Sequence, residues 1–225
     1  MPTGIVTGAS RGLGRALGQA LVARGWRLVV DARGEEALAA TWAGEPWVTA
    51  IPGDVSDPAH GAALIEAAGA PIELIVNNAS VLGPSPQPPL RAYPLEVLRR
   101  VYEVNVVAPL ALVQLARRAL APGARIVNVT SDAAVEPYEG WGGYGSAKAA
   151  LDQLSAILAA EQPELRVYAV DPGDMRTQLQ QEAFPGEDIS DRPLPEASVP
   201  GVLALIEGDL PSGRYRTAEL AQVPA

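Results

Sequence analysis

The chain has no cysteine, one histidine, and a single lysine among its seventeen basic residues. Without cysteine it can form no disulfide, bind no metal through thiolate and use no sulfur nucleophile. With one histidine, any Ser-His-Asp triad would have to run through His60. The surrounding Asp57-Pro58-Ala59-His60-Gly61 reads as the start of a surface helix, so a structural or solvated His60 is expected. One histidine and no acidic ligand cluster leave no donor set for a catalytic metal. Long apolar runs are also missing. None approaches the ~18 residues that a membrane span requires, and Met1-Pro2-Thr3-Gly4 does not lead a cationic segment into an apolar one, as a secretory signal would. Positive charge is in deficit, with 17 basic against 26 acidic residues and a net charge of -9. Such a surface repels nucleic acid and anionic membranes, so any anionic ligand must be held by local positive features. With neither a membrane span nor a secretory signal present, a cytoplasmic location is expected.

What is present fits a folded enzyme-sized unit. At 225 residues, 48% hydrophobic and 19% charged, the chain can bury a sizeable core as one domain over residues 1–225. Short apolar runs alternate with segments of helical spacing. Strands are expected near 4–7, 27–30, 47–51, 72–76, 125–129, 166–170 and 213–216. A long helix over 95–121 is expected to kink at Pro109 and free the Asn105 carbonyl, beside which an ordered water could sit. This alternation predicts an α/β fold, a doubly wound parallel sheet of about seven strands in three α/β/α layers, with ligands at the strands' carboxyl ends.

The chemistry-bearing stretches fall at those ends. Gly8-Ala9-Ser10-Arg11-Gly12-Leu13-Gly14 follows the first strand directly and opens a helix, a context in which glycines let backbone approach a phosphate at a helix N-terminus. After the second strand come Asp31 and Arg33. An acid there would accept from a free ribose 2′-hydroxyl, whereas arginine would pair with a 2′-phosphate, and Arg11 could bracket that phosphate from the other side. The position of Arg33 favours NADP over NAD. Asp54 ends the third strand as a turn former or an adenine contact. Asn77-Asn78-Ala79-Ser80 closes the fourth strand, and Thr130-Ser131-Asp132 the fifth. Tyr144 and Lys148 lie one turn apart on a helix, where an ammonium would favour phenolate and lower the tyrosine pKa. Asp171-Pro172-Gly173 and Thr177 follow the sixth strand, and residues 178–198 read as a candidate lid. Tyr138 and Trp141 are either pocket aromatics or exposed loop residues.

Taken in order, Thr7-Gly8-Ala9-Ser10-Arg11-Gly12-Leu13-Gly14, Asn77-Asn78-Ala79, Asn105, Ser131, Tyr144 with Lys148, and Pro172-Gly173 resemble the short-chain dehydrogenase/reductase family over nearly the whole chain. The resemblance implies a hydride-transferring oxidoreductase, of carbonyl reductase or alcohol dehydrogenase type, acting on a small or medium carbonyl or alcohol. Tyr144 would be its acid/base and Ser131 would hydrogen-bond the carbonyl oxygen. Lys148 would depress the tyrosine pKa and hold the nicotinamide ribose, and Asn105 would relay protons through water. The implied cofactor contacts are Thr7, Gly8, Ser10, Arg11, Gly12, Leu13 and Gly14 in the phosphate loop, with Arg33 at the ribose and Asp54 and Val55 at the adenine. Asn77, Asn78 and Ala79 would form the floor, and Tyr144, Lys148, Pro172, Gly173, Met175 and Thr177 the nicotinamide end. A homodimer or homotetramer through the helices near 95–120 and 144–160 is implied as well. Two departures stand out: Ser80 replaces a glycine common after the paired asparagines, and the short tail beyond residue 216 lacks the family's usual glycine-rich ending. The competing readings are the same chemistry with NAD, read by Asp31, and a non-catalytic dinucleotide-binding protein.

Overall fold

The computed structural model of the chain describes residues 1–220; the last five residues, part of the domain expected over 1–225, lie outside the described residues. Seven parallel strands form one sheet in the order β3-β2-β1-β4-β5-β6-β7. They are β1 (Thr3–Val6), β2 (Arg27–Ala32), β3 (Val48–Pro52), β4 (Ile72–Asn77), β5 (Leu120–Val129), β6 (Arg166–Asp171) and β7 (Gly213–Arg216). The central strands are mainly apolar because both faces are covered. Alternate side chains divide between two cores. Val6, Leu28, Val30, Leu74 and Val76 pack with α1 (Gly12–Val22) and α8 (Val199–Glu207). Ile5, Val29, Ile75 and Ile126 pack on the opposite face against α3 (Pro58–Ala68) and α5 (Ala108–Ala116). The remaining helices are α2 (Glu35–Trp42), α4 (Leu95–Tyr102), α6 (Gly142–Glu161), α7 (Gln178–Ala183) and α9 (Thr217–Leu220). None of the described helices is long and apolar enough to cross a membrane.

The sequence expectations fail at two places, each for a local reason. The single helix over 95–121 is instead α4, one wide π-helical turn over Glu103–Val107, and α5, which ends at Ala116. The wide turn stands just before Pro109, which takes one of the first positions of α5, where a missing N–H matters least. Leu120 and Ala121 already belong to β5, which starts five residues earlier than the apolar run at 125 implies; Leu120 pairs with Ile72 before a register shift. Of the two states expected of His60, structural or solvated, it takes the structural one. It is buried on the sheet side of α3, with Nε2 2.9 Å from an Asp31 carboxylate oxygen. The candidate lid is partly ordered into α7 and a short turn at Pro195–Ala197.

Trp42 joins α2 to the glycine loop. Its ring fills the space left by Gly18 on α1, where a Cβ would approach it to 2.7 Å, and its indole N–H donates to the Ala9 carbonyl at 3.1 Å. Replacing this buried ring by Trp42→Ala leaves a cavity and removes the hydrogen bond. A loss of about 3–5 kcal/mol is expected, read as a lower urea midpoint with an unchanged denaturant slope.

Candidate active site

A cavity of about 1130 Å³ opens along the carboxyl ends of the strands, where the sheet order reverses between β1 and β4. At one end lies the loop from Gly8 to Gly14. Gly8 and Gly12 have φ of 67° and 57°, conformations that a side chain would strain. A Cβ on Gly14 would come within 2.5 Å of the Gly8 carbonyl and the Asn78 amide. No side chain caps the first turn of α1, and no acidic residue stands in it. Its N–H groups and positive dipole end are therefore available to an anion. Gly8, Ser10, Arg11, Gly12 and Leu13 line the cavity. Thr7 and Gly14 act from behind: the buried Thr7 hydroxyl donates to the Val76 carbonyl and accepts from the Asn78 and Ala79 N–H groups, both at 3.0 Å.

Further along the cavity wall lie Arg33, Asp54, Val55, Asn78 and Ala79. Asn77 does not join them. Its amide turns into the sheet and donates to Asn128 at 2.7 Å, which in turn donates to Ser155 at 2.8 Å, so it binds β4, β5 and α6 together. Asp54 already has partners: the Ser56 N–H and hydroxyl on one oxygen, and Arg100 on the other. Burial works to raise its pKa, but these hydrogen bonds and the Arg100 charge outweigh it, and the carboxyl is held below its ordinary value. Arg11 reaches across to the Gln178 side chain on α7. Asp31 borders the cavity but is 1% exposed: one oxygen accepts from the Gly8 N–H at 2.7 Å and the other faces His60.

The reacting end is built from β5, α6 and the turn after β6. Gly142, Gly143 and Gly145 make the start of α6 narrow enough to fit. A Cβ on Gly145 would sit 2.6 Å from the Ala133 carbonyl, so the helix packs directly on the turn that carries Ser131. Tyr144, Lys148 and Ser131 all line the cavity, as do Pro172, Gly173, Met175 and Thr177. Thr177 also caps α7, accepting from the Gln180 N–H at 3.2 Å. Asn105 is buried beside the cleft rather than on its wall: its side chain clamps the Val81 backbone, with both bonds at 2.9 Å, and accepts from the Ser80 hydroxyl at 3.2 Å. Trp141 stands edge-on to Tyr144 with centroids 5.9 Å apart, as a pocket aromatic, whereas Tyr138 is largely exposed.

A model of the family described as short chain dehydrogenase matches residues 3–188. The chain belongs to the short-chain dehydrogenase family. It is 32% identical over 197 residues to sepiapterin reductase of Bos taurus, covering 79% of this chain and 74% of that protein. It is 35% identical over 184 residues to the rhamnolipids biosynthesis 3-oxoacyl-[acyl-carrier-protein] reductase of Pseudomonas aeruginosa, covering 75% and 71%. A short-chain dehydrogenase of Shigella flexneri solved in complex with NADP superposes with a TM-score of 0.88 at 25% identity, over 96% of this chain and 97% of that one.

Within this short-chain dehydrogenase the electrostatics differ from the sequence expectation. The Tyr144 phenol is pushed up from its ordinary value, first by burial. The Ser80 side chain opposes the shift, and the Asp132 and Asp171 charges add to it. Lys148 Nζ stands 5.4 Å from the ring centroid and donates to the Val129 carbonyl at 2.8 Å. Sequence spacing placed the pair on one helix but did not show that both would lose their water. Ser80, Arg100 and Asp132 on the cavity wall escaped the motif reading because each stands beside, rather than within, a recognisable pattern. The departure at Ser80 was the only sequence signal among them.

Burial lowers the Lys148 ammonium from 10.5 to about 8, with the Asp152 charge opposing the shift. Between those values the unfolded chain keeps a proton that the folded chain has released, so stability rises with pH across that window. Below about pH 8 the penalty is complete, on the order of 3 kcal/mol at ~1.4 per pKa unit. Lys148→Met removes it and forfeits one hydrogen bond of about 1 kcal/mol. The variant is therefore expected to resist urea better than the parent at pH 7 by roughly 1–3 kcal/mol, with the gain shrinking toward pH 10.

Proposed function

We propose that this short-chain dehydrogenase is an NADP(H)-dependent carbonyl reductase, running as an alcohol dehydrogenase in reverse, on a small or medium substrate. The observation that carries the reading is the convergence of Tyr144, Ser131 and Lys148 on one cavity wall, with an uncapped helix N-terminus at the cavity's other end. The residues fit a dinucleotide: the glycine cradle admits a pyrophosphate, and the cavity is large enough for the whole molecule. When bound, the nicotinamide supplies the hydride.

The chain's own groups do the rest. Burial keeps the Tyr144 phenol protonated at neutral pH, the state that gives a proton to an alkoxide oxygen as it forms. Ser131 donates a hydrogen bond to the same oxygen and stabilises its developing charge. Lys148, one turn along α6, holds positive charge behind the phenol and has ammonium protons left for a ribose hydroxyl. Asn105 fixes the Ser80–Val81 strand that borders the cavity.

The preference for NADP rests on two side chains. Arg33 is exposed on the cavity wall, in position to pair with a 2′-phosphate. Asp31, which would read an unmodified ribose, is 1% exposed and already engaged by the Gly8 N–H and by His60. The NADP in the Shigella flexneri structure supports the same choice. Apolar side chains left exposed on α5 and α6, including Leu115 and Ile157, support association of copies into a dimer or tetramer.

Two measurements test the proposal. Tyr144→Phe should lower kcat on a carbonyl panel by about 10²–10⁴-fold while NADPH affinity holds; no NADPH oxidation by the parent with any carbonyl would favour a binding protein instead. In a fluorescence titration the parent should bind NADPH at least about tenfold tighter than NADH, and Arg33→Ala should erase the difference. A tenfold preference for NADH would reverse the cofactor assignment.

A further inference from the structure

The turn after β5 places a carboxylate next to the hydroxyl that meets the substrate. The Ser131 hydroxyl donates to one Asp132 oxygen at 2.9 Å, and the Ala133 N–H donates to the same oxygen at 2.8 Å. The other oxygen accepts from the Tyr138 hydroxyl at 2.9 Å. Asp132 itself lines the cavity. For Ser131 to donate to a carbonyl oxygen its proton must swing away from Asp132, because a hydroxyl has one proton to give. That swing leaves the Asp132 oxygen with the Ala133 N–H alone, one donor fewer, next to the hydroxyl that has turned to the substrate carbonyl. A partly desolvated carboxylate that loses a hydrogen bond is costly unless another donor replaces it.

The surroundings add to this. Asp171, 2% exposed at the end of β6, brings a second carboxylate to the cavity's border, one oxygen accepting from the Gly173 N–H at 3.0 Å and the other buried toward Arg214 and Arg216 at 3.5 and 3.7 Å. On another side Trp141 packs against Tyr144 and Phe184, with centroids 5.9 Å apart in each case, and forms an aromatic wall.

We propose that Asp132 is a specificity-determining residue, and that the cleft selects α-hydroxy or α-amino carbonyl compounds with an apolar or aromatic body. The substrate's α-donor replaces the Ser131 proton on Asp132 while Ser131 turns to the carbonyl. This inference rests on the reductase reading above. In the reaction an α-hydroxy ketone becomes a vicinal diol: the carbonyl carbon gains the hydride given up by NADPH, the oxygen gains the Tyr144 proton, and NADP⁺ is released. A carboxylate at the α-position would instead face the Asp132 charge and be rejected.

Three ketones with one phenyl body separate the contributions: 2-hydroxyacetophenone with a donor, acetophenone with none, and phenylglyoxylate with a carboxylate. The kcat/KM of the parent should favour the hydroxy ketone over acetophenone by at least about tenfold, the worth of one charge-assisted hydrogen bond, with phenylglyoxylate slowest. In Asp132→Ala the ratio of hydroxy ketone to acetophenone should fall to the intrinsic reactivity ratio, measured with borohydride. Asp132→Asn should raise phenylglyoxylate relative to the other two. A purely structural role for Asp132 would lower all three together and leave the ratios unchanged, which would overturn the proposal. So would a parent ratio within threefold, or turnover of none of the three by a chain that binds NADPH. Loss of NADPH binding as well would instead bring down the reductase reading beneath it.

Discussion

The parallel pairing of β1 with β4 is the constraint on which the site depends. Val6 lies beside Val76, and from that register the two strand ends run into the glycine loop and the Asn78 turn. Chain connections run outward in opposite directions from this pair, so the helices that follow the two strands cover opposite faces and leave a crevice between their starts. The crevice is held open by polar bonds rather than by bulk. The Thr7 hydroxyl bridges the backbone of both turns, and the Asn78 amide donates to the Thr7 and Gly8 carbonyls. Small residues at Gly8, Gly14 and Ala79 allow the turns to meet without filling the space a ligand needs.

At the reacting end the decisive quantity is lost water. Tyr144 and Lys148 are 6% and 2% exposed, and burial acts on them in opposite senses, holding the phenol's proton on and loosening the ammonium's. Neither effect needs the two groups to touch. The backbone of α6 can approach the Ser131 turn only because Gly145 has no side chain. The placing of Tyr144 beside the Ser131 turn and the aromatic wall are thus both consequences of one glycine-rich helix start.

Much of this was legible in the sequence. Seven apolar runs predicted seven strands, and the glycine loop, the paired asparagines and the Tyr144–Lys148 spacing marked their carboxyl ends. Side-chain direction was not legible. Asn77 and Asn78 are adjacent in sequence, yet the strand's alternation sends one into the sheet and the other to the cleft. His60 read as structural or solvated without a choice between them, because nothing local announces its partner, Asp31, twenty-nine residues away. The break in the helix before Pro109 was visible as a breaker, but not that a widened turn would absorb it. Arg100 and Asp132 acquire meaning only from partners that tertiary folding brings to them or from the wall they line.

Burial of Lys148 has a thermochemical corollary. With its pKa at about 8, the folded chain in mildly alkaline solution is a mixture of species with Lys148 charged and neutral. A ligand that offers this nitrogen an acceptor favours the charged species and draws a proton from the medium as it associates. The heat released on association near pH 8 then contains the ionisation enthalpy of whatever buffer surrendered that proton.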